Sequence, residues 1–334
     1  MKIIYFLHEP DEDKIAKAAL GEHELVFIEG TVQDRVDIAD SEAEAISIFV
    51  NSKVGALEMD RFPKLKLIAT RSTGYDNVDL AEAKKRGITV TNVPTYGIET
   101  VAEFTFSLLL ALTRKVEQAH RRVTAENSFS QDGLRGIDLA GKTIGVVGTG
   151  NIGAHVVEIA KGFRMKILAY DPFPKEELIE KFKVEYVSLE DLLGRSDIIT
   201  LHVPLIPATT HLINLGNVGK IKKGAILINT ARGGLVETEA LVSALNDGTI
   251  IAAGLDVFEE EGQMVLEEHL LAEAHPDEEK LKTILAEHVL VKHPSVIVTP
   301  HVAFNTNEAV RRIIDTSVGN ILAFASDSPM NVVS

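Results

Sequence analysis

The stretch Val146-Val147-Gly148-Thr149-Gly150-Asn151-Ile152-Gly153 constrains this chain more than any other. Before it, Thr143 to Val147 has the short apolar pattern of a buried strand. After it, Ala154 to Lys161 carries Val156, Val157 and Ile159 among the apolar positions of a helix. A G-x-G-x-x-G turn between strand and helix gives each glycine a task. Gly148 permits the tight turn, Gly150 lets the backbone approach a pyrophosphate, and Gly153 lets the helix lie close on the strand. The anion would rest on the unpaired N–H groups of the helix start, in a turn completed by Thr149, Asn151 and Ile152. A second strand, Met165 to Tyr170, ends in Asp171, the acidic residue about 20 positions on that would bind a ribose diol. A carboxylate there would repel a 2′-phosphate, and Pro172-Phe173-Pro174 offers no arginine to accept one. The cofactor expected is therefore NAD rather than NADP.

With 334 residues the chain has length for two domains with substantial cores. Lys and Arg number 34 against 49 Asp and Glu, a net charge of −15 with no basic run, which argues against a nucleic-acid or anionic-membrane surface. The absence of cysteine excludes disulfides, Cys-ligated zinc and thiol catalysis, and is compatible with a reducing cytoplasm. Met1 to Leu7 breaks into His8-Glu9-Pro10 too soon for a signal peptide, and the apolar run Phe104 to Leu112 is too short to span a bilayer. A soluble, cytoplasmic protein is expected.

Residues 1–97 alternate strand and helix. Strands are expected at Lys2 to Leu7, His23 to Glu29, Ala45 to Val50, Leu65 to Thr70 and Ile88 to Val93, with helices at Asp11 to Leu20 and Leu80 to Arg86. This alternation predicts a parallel sheet with helices on both faces. Ile98 to Val116 reads as one long helix whose core, Phe104 to Leu112, is apolar almost all round; it must be buried under a sheet, against another subunit, or both. A second α/β array begins at Thr143, with strands near Asp197 to Val203, Ala225 to Asn229, Ile250 to Leu255 and Ser295 to Val298, and Asn307 to Ala325 is helical. Gly136 to Thr143 satisfies the formula G-x-x-x-x-G-K-T, but a polar loop precedes it and a strand follows. The helix dipole that would bind phosphate is missing, so a P-loop is rejected.

Chemistry is sought at the strand ends of the second half, where doubly wound sheets place ligands. Asn229-Thr230-Ala231-Arg232 follows one strand and offers a guanidinium able to grip a carboxylate with two parallel hydrogen bonds. Asp256-Val257-Phe258-Glu259-Glu260-Glu261 follows the next, and Thr299-Pro300-His301 follows another. Each is ordinary alone. Three complementary groups at three successive strand ends form a working set.

Together with Arg71-Ser72-Thr73-Gly74-Tyr75-Asp76-Asn77-Val78-Asp79 and Leu201-His202-Val203-Pro204, these motifs resemble the D-isomer-specific 2-hydroxyacid dehydrogenases over nearly the whole chain. Val93-Pro94-Thr95-Tyr96 and His301-Val302-Ala303-Phe304 are most similar to the D-lactate dehydrogenases within that family. The resemblance implies two Rossmann-like doubly wound parallel-sheet domains separated by a cleft: residues 1–97 plus 300–334 for substrate, and 98–299 for NAD. It implies that Arg232 holds the substrate carboxylate and polarises the keto oxygen. His301 would protonate that oxygen as hydride arrives, a task suited to an imidazole, whose ordinary pKa is about 6.5. Glu261 would orient that imidazole and favour its protonated form, leaving Glu259 and Glu260 solvated or structural. Backbone N–H groups around Ser72, Thr73 and Gly74 would bind the carboxylate, Tyr96 would add a hydroxyl, and Phe304 an apolar wall. His202, Val203, Pro204, Thr230, Ala231 and Asp256, with Arg232 and His301, would line the nicotinamide half of the cofactor site. A homodimer through the NAD-binding domain is expected.

Two features depart from the D-lactate pattern. Tyr96 is followed by Gly97-Ile98-Glu99, where such members often have Ser-Pro. A long segment rich in Glu and Leu, Gly262 to Lys292, separates Glu261 from His301 and holds His269, His275 and His288, with His293 just beyond. No pair of these lies at i, i+4, so a surface helical insertion is expected rather than a metal site. Three functions fit these residues: a D-lactate-type dehydrogenase, a glyoxylate or hydroxypyruvate reductase with the same triad, and an NAD-sensing protein similar to the dehydrogenase-like co-repressors.

Overall fold

Side chains along each strand alternate between two faces, and here both faces are buried, the mark of sheets covered by helices on either side. The computed structural model describes residues 1–7, 10–259 and 278–333. The chain forms two units, Met1–Tyr96 with Asn305–Ser334, and Gly97–Phe304. Each is built on a parallel sheet, so the two α/β sheets expected are both present.

The first unit contains β1 (Lys2–Phe6), β2 (Glu24–Ile28), β3 (Ala43–Ile48), β4 (Leu67–Thr70) and β5 (Thr89–Thr91), in the order β2-β1-β3-β4-β5. Ile4, Phe6, Ile46, Ile48 and Ile68 face one core; Ile3, Tyr5, Ala45, Leu67 and Ala69 face another. The second core is covered by the helix Asn307–Ala325 through Ile314, Val318 and Ile321. The end of the chain thus covers a face laid down by its beginning. Each such aliphatic side chain contributes about 1.5–3 kcal/mol by leaving water.

The second unit contains β6 (Thr143–Val147), β7 (Lys166–Tyr170), β8 (Glu185–Tyr186), β9 (Ile198–Leu201), β10 (Ala225–Asn229), β11 (Ile250–Leu255) and β12 (Val296–Val298). Their order, β12-β11-β10-β9-β6-β7-β8, reverses direction at β6, which places a topological switch point between β6 and β9. Residues of β10 show the alternation: Ala225 and Leu227 enter one core, Ile226 and Ile228 the other. The would-be P-loop segment runs into β6, a strand, as its flanks required.

Two of the expected helical segments differ in the structure. The helix predicted to Val116 stops at Arg114, where Lys115 turns left-handed (φ 53°), and a new helix runs Val116–Thr124. The carbonyl of Thr113 accepts the N–H of Ile137 at 3.0 Å, so a passing strand of chain takes the partner that a continuing helix would have used. The second departure concerns the expected surface insertion, of which residues 260–277 lie outside the described residues. Its later part, the helix Glu278–Lys292, buries Ile284 and Leu290 and precedes β12. Leu290 belongs to the core under β11, while Leu285 and Val289 face out. Apolar residues on both faces hide this packing from a reading of periodicity. No helix among the described residues is long and apolar enough to cross a membrane.

Candidate active site

The three glycines of the turn meet different surroundings. Gly148 has φ +91°, and a Cβ there would meet the His202 carbonyl oxygen at 2.6 Å. A Cβ on Gly153 would lie 1.9 Å from the Gly148 oxygen, so helix and turn touch through bare backbone. A Cβ on Gly150 would meet nothing within 4 Å: that glycine leaves a face open. Gly150 also caps the helix Asn151–Gly162 without a side chain, and the first helical bond is Ala154 N–H to Gly150 O at 3.1 Å. The N–H groups of Asn151, Ile152 and Gly153 therefore lack intrahelical acceptors, as the donors of an anion site must. An open backbone face and unspent donors fit a dinucleotide pyrophosphate.

Asp171 stands at the end of β7, beside this turn. Its Oδ2 accepts Thr149 N–H at 2.7 Å and the Thr149 hydroxyl at 3.1 Å, while Oδ1 accepts Phe173 N–H at 2.8 Å. A carboxylate has about four acceptor positions, so one remains for a ribose hydroxyl. The turn is braced further by residues that sequence reading missed. The Tyr186 hydroxyl donates to Thr149 Oγ1 at 3.0 Å and accepts Lys175 N–H at 3.1 Å, and Lys175 Nζ reaches Gly150 O at 3.3 Å. Only a tertiary register that pairs β7 with β8 brings Tyr186 here, and local sequence carries no trace of it.

The remaining predicted residues of this unit follow the C-terminal ends of adjacent strands. His202 follows β9; its N–H donates to Val147 O at 2.7 Å and its Nε2 lies 2.8 Å from Thr200 Oγ1. Burial pushes this imidazole down to about 3, so it stays neutral at working pH. Val203 and Pro204 continue from it. After β10, Asn229 ties the next loop to itself: its Oδ1 accepts Ala231 N–H at 3.1 Å and its Nδ2 donates to Arg232 O at 2.9 Å. Thr230 is hydrogen-bonded to Thr105 at 3.0 Å. Arg232 has extended backbone, and Gly233 lets Phe258 pass, since a Cβ there would fall 1.9 Å from the Phe258 carbonyl.

Asp256, after β11, is 1% exposed and binds the loop beyond β12. Its Oδ1 accepts the Thr299 hydroxyl at 2.5 Å and Val302 N–H at 3.0 Å; Oδ2 accepts Ala303 N–H at 2.8 Å. Its backbone oxygen accepts His301 N–H at 2.9 Å. Burial pushes the Asp256 carboxyl up, against the opposing pull of those donors. His301 sits in the left-handed region at φ 52°, a conformation that costs a non-glycine residue about 1–2 kcal/mol and persists because Asp256 grips both sides of it. Glu259 is half-buried, bonded by Thr238 N–H at 2.9 Å, by the Thr238 hydroxyl and by His211. It is a structural residue. Glu261, His269 and His275 lie outside the described residues.

In the other unit, Ser72, Thr73 and Gly74 follow β4. Their carbonyl oxygens are all engaged: Ser72 O with Val93 N–H at 2.9 Å, Thr73 O with Asn92 Nδ2 at 2.7 Å, and Gly74 O with the Ser72 hydroxyl at 2.7 Å. Their three N–H groups have no acceptor among the described residues. Three successive unspent amide donors favour an anion. Asn92 is held in turn by Asn320 Nδ2 at 2.8 Å, and Asn320 by Asn331 at 2.8 Å, so the chain's last helix buttresses this turn. Tyr96 and Phe304 are both half-buried.

Comparison with known proteins agrees with this arrangement. The family described as D-isomer specific 2-hydroxyacid dehydrogenase, NAD binding domain, matches residues 106–303. The 2-hydroxyacid dehydrogenase homolog 1 of Schizosaccharomyces pombe is 38% identical, covering 98% of this chain and 97% of its own. A glyoxylate reductase of Korarchaeum cryptofilum is 38% identical over 88% of this chain and 83% of its own. Among solved structures, the D-lactate dehydrogenase of Aquifex aeolicus, complexed with NAD and lactic acid, superposes with a TM-score of 0.86 at 36% identity, covering 98% of this chain and 96% of that one. By this family match over residues 106–303 and these likenesses over nearly its whole length, the chain belongs to the D-isomer-specific 2-hydroxyacid dehydrogenases, and it is an NAD-dependent oxidoreductase of that family.

Proposed function

We propose that this chain is a D-lactate dehydrogenase that reduces pyruvate or a similar small 2-keto acid, reversibly. When bound, NADH would supply the hydride that the keto carbon takes up, and NAD would accept it in the reverse direction. Arg232 grips the substrate carboxylate and polarises the keto oxygen through its planar fork of donors. The amide donors of Ser72, Thr73 and Gly74 bind the same carboxylate, with Tyr96 adding its hydroxyl. His301 gives its ring proton to the keto oxygen as the carbon becomes tetrahedral, and removes it in oxidation. Glu261 orients that ring. Gly148 to Gly153, with Asp171, hold the adenosine diphosphate half of the cofactor, and His202, Val203, Pro204, Thr230, Ala231 and Asp256, with Arg232 and His301, line the nicotinamide half.

The observation that carries the activity is the set of groups beyond β10, β11 and β12, with Asp256 pinning the His301 loop. Phe304 carries the substrate class: an aromatic wall favours a methyl side chain over a hydroxymethyl. The likeness to a D-lactate dehydrogenase structure over nearly the whole chain supports this reading. The similarity to a glyoxylate reductase supports the rival. Ranking kcat/KM for pyruvate, hydroxypyruvate and glyoxylate with NADH separates them: pyruvate leads on the first reading, and either competitor leading replaces it. Tight NADH binding with no turnover of any keto acid would replace both with an NAD sensor.

The chain is also proposed to act in the cytoplasm, as a homodimer through its NAD-binding unit. Phe104, Leu110, Ala111 and Leu112 of the helix Ile98–Arg114 remain half exposed, and Val116, Val123, Phe129 and Ile137 in the following segment are exposed. A monomeric mass in sedimentation would refute the dimer.

A further inference from the structure

In the first unit the strand order turns back between β1 and β3, the place where a doubly wound sheet opens a ligand crevice. Arg71 closes it. This residue directly follows β4, and its N–H donates to Ile48 O at 2.8 Å, at the end of β3. Its side chain reaches on to β1: Nη2 donates to the carbonyl oxygens of both Phe6 and Leu7, and Nη1 pairs with Glu12 Oε1 at 2.7 Å. The guanidinium carbon lies 5.6 Å from the centre of the Tyr5 ring. Arg71 is 1% exposed, and Leu7 adopts a left-handed backbone (φ 49°) where it meets the guanidinium. One residue therefore joins the C-terminal ends of three strands: it follows β4, its backbone N–H meets β3, and its guanidinium reaches β1.

Next in the chain after Arg71 is the turn Ser72-Thr73-Gly74, with its three unspent N–H groups. On its far side that turn is held by Asn92 and Val93; on its near side it is held by Arg71. A buried ion pair is a poor source of net stability, because desolvation offsets most of the attraction, but it fixes geometry well. A lysine could not serve the same way, since a single ammonium lacks the fork that spans two carbonyls and a carboxylate.

We propose that Arg71 is a positioning residue for the substrate carboxylate: by locking β4 to β1 it aims the amide donors of Ser72, Thr73 and Gly74. The proposal rests on the reading of that turn as carboxylate-binding. Arg71 touches no reacting atom, so its effect falls on substrate affinity rather than on the hydride or proton transfer.

The test compares wild type with Arg71→Lys, Arg71→Met, Glu12→Gln and Arg232→Ala. The quantities are KM and kcat for pyruvate at saturating NADH, and the Kd for NADH from its fluorescence. Arg71→Met is expected to raise KM about tenfold, the loss of one charge-assisted hydrogen bond, with kcat within about threefold and the NADH Kd within about twofold. Arg71→Lys should recover only part of the loss, and Glu12→Gln, which frees one end of the guanidinium, should raise KM about threefold. A lowered melting temperature with KM unchanged in Arg71→Lys and Glu12→Gln would make Arg71 fold support alone and overturn the proposal, whether or not Arg71→Met folds. If Arg232→Ala raises KM while the Arg71 and Glu12 variants do not, the positioning role fails and the functional reading stands. If wild type reduces no keto acid, both fall.

Discussion

Replacing Asp256 with asparagine tests how the fold holds the proposed proton donor, His301. The wild-type carboxylate accepts Thr299 Oγ1 and Val302 N–H on one oxygen and Ala303 N–H on the other. An amide keeps one of those oxygens and turns an NH₂ toward the remaining donor. With the oxygen kept toward Thr299 and Val302, the N–H of Ala303, a residue 3% exposed, faces another donor inside the protein. An unsatisfied buried donor costs about 1–3 kcal/mol. Part of this is returned, because burial already disfavours the wild-type charge and pushes the Asp256 carboxyl up. The expected net loss of stability is about 1–2 kcal/mol by urea denaturation. Activity should suffer more. His301 keeps its own N–H bond to the Asp256 backbone but loses the grip on residues 302 and 303, and its φ of 52° has less to hold it. A displacement of about 1 Å at a reacting group costs up to about 100-fold in rate. Asp256→Asn should therefore lower kcat with pyruvate by about 10- to 100-fold and leave the NADH Kd within about twofold. The reverse pattern, NADH binding lost with kcat kept, would refute this reasoning and make Asp256 a cofactor ligand first.

The same geometry sets other expectations. Gly153→Ala should destabilise the fold severely, its Cβ falling 1.9 Å from the Gly148 oxygen. Gly150→Ala, whose Cβ meets nothing within 4 Å, should stay within about 1 kcal/mol of wild type yet weaken NADH binding; thermal melts and NADH titration together read both. His202 has its imidazole pushed from 6.5 down to about 3, so below 6.5 the unfolded chain binds a proton that the folded one refuses. Its contribution is complete above 6.5 and is lost as pH falls toward 3, at about 1.4 kcal/mol per pH unit. Urea denaturation at pH 7 and 5.5 should show His202→Gln losing about 1.4 kcal/mol less than wild type over that step, and equal losses would sink the assignment. His301→Gln should lower kcat at least about 100-fold while sparing NADH affinity, and Arg232→Ala should chiefly lower kcat/KM for the keto acid; near-wild-type steady-state kinetics in either would remove that residue from the mechanism.

Much of the second unit was legible because its signals are local. A strand, three glycines and a helix lie within some 20 residues of chain, and Ala225–Asn229 and Ile250–Leu255 are bounded by polar residues that mark their ends plainly. Arg232 and His301 follow strand ends, where a doubly wound sheet places its ligands, and that position rather than residue type singles them out. The illegible part depends on distant partners. Asp256 looks in sequence like any polar residue after a strand, and only the pairing of β11 with β12 aims its carboxylate at Val302 and Ala303. Arg71 was visible within a motif, but its reach to Phe6, Leu7 and Glu12 spans about 60 positions and needs the folded sheet order. The break at Lys115 comes from Ile137 taking the Thr113 carbonyl, and the packing of Glu278–Lys292 from apolar residues spread round the helix. In each case a tertiary partner decided what propensity left open.

The central claim is that Arg232 and His301 orient a small 2-keto acid so that hydride reaches one face of its keto carbon and a proton its keto oxygen. Its most direct test is chiral analysis of the product formed from pyruvate and NADH. The account predicts D-lactate, formed stoichiometrically with NADH oxidised. L-lactate, or NADH bound without any lactate formed, would contradict it.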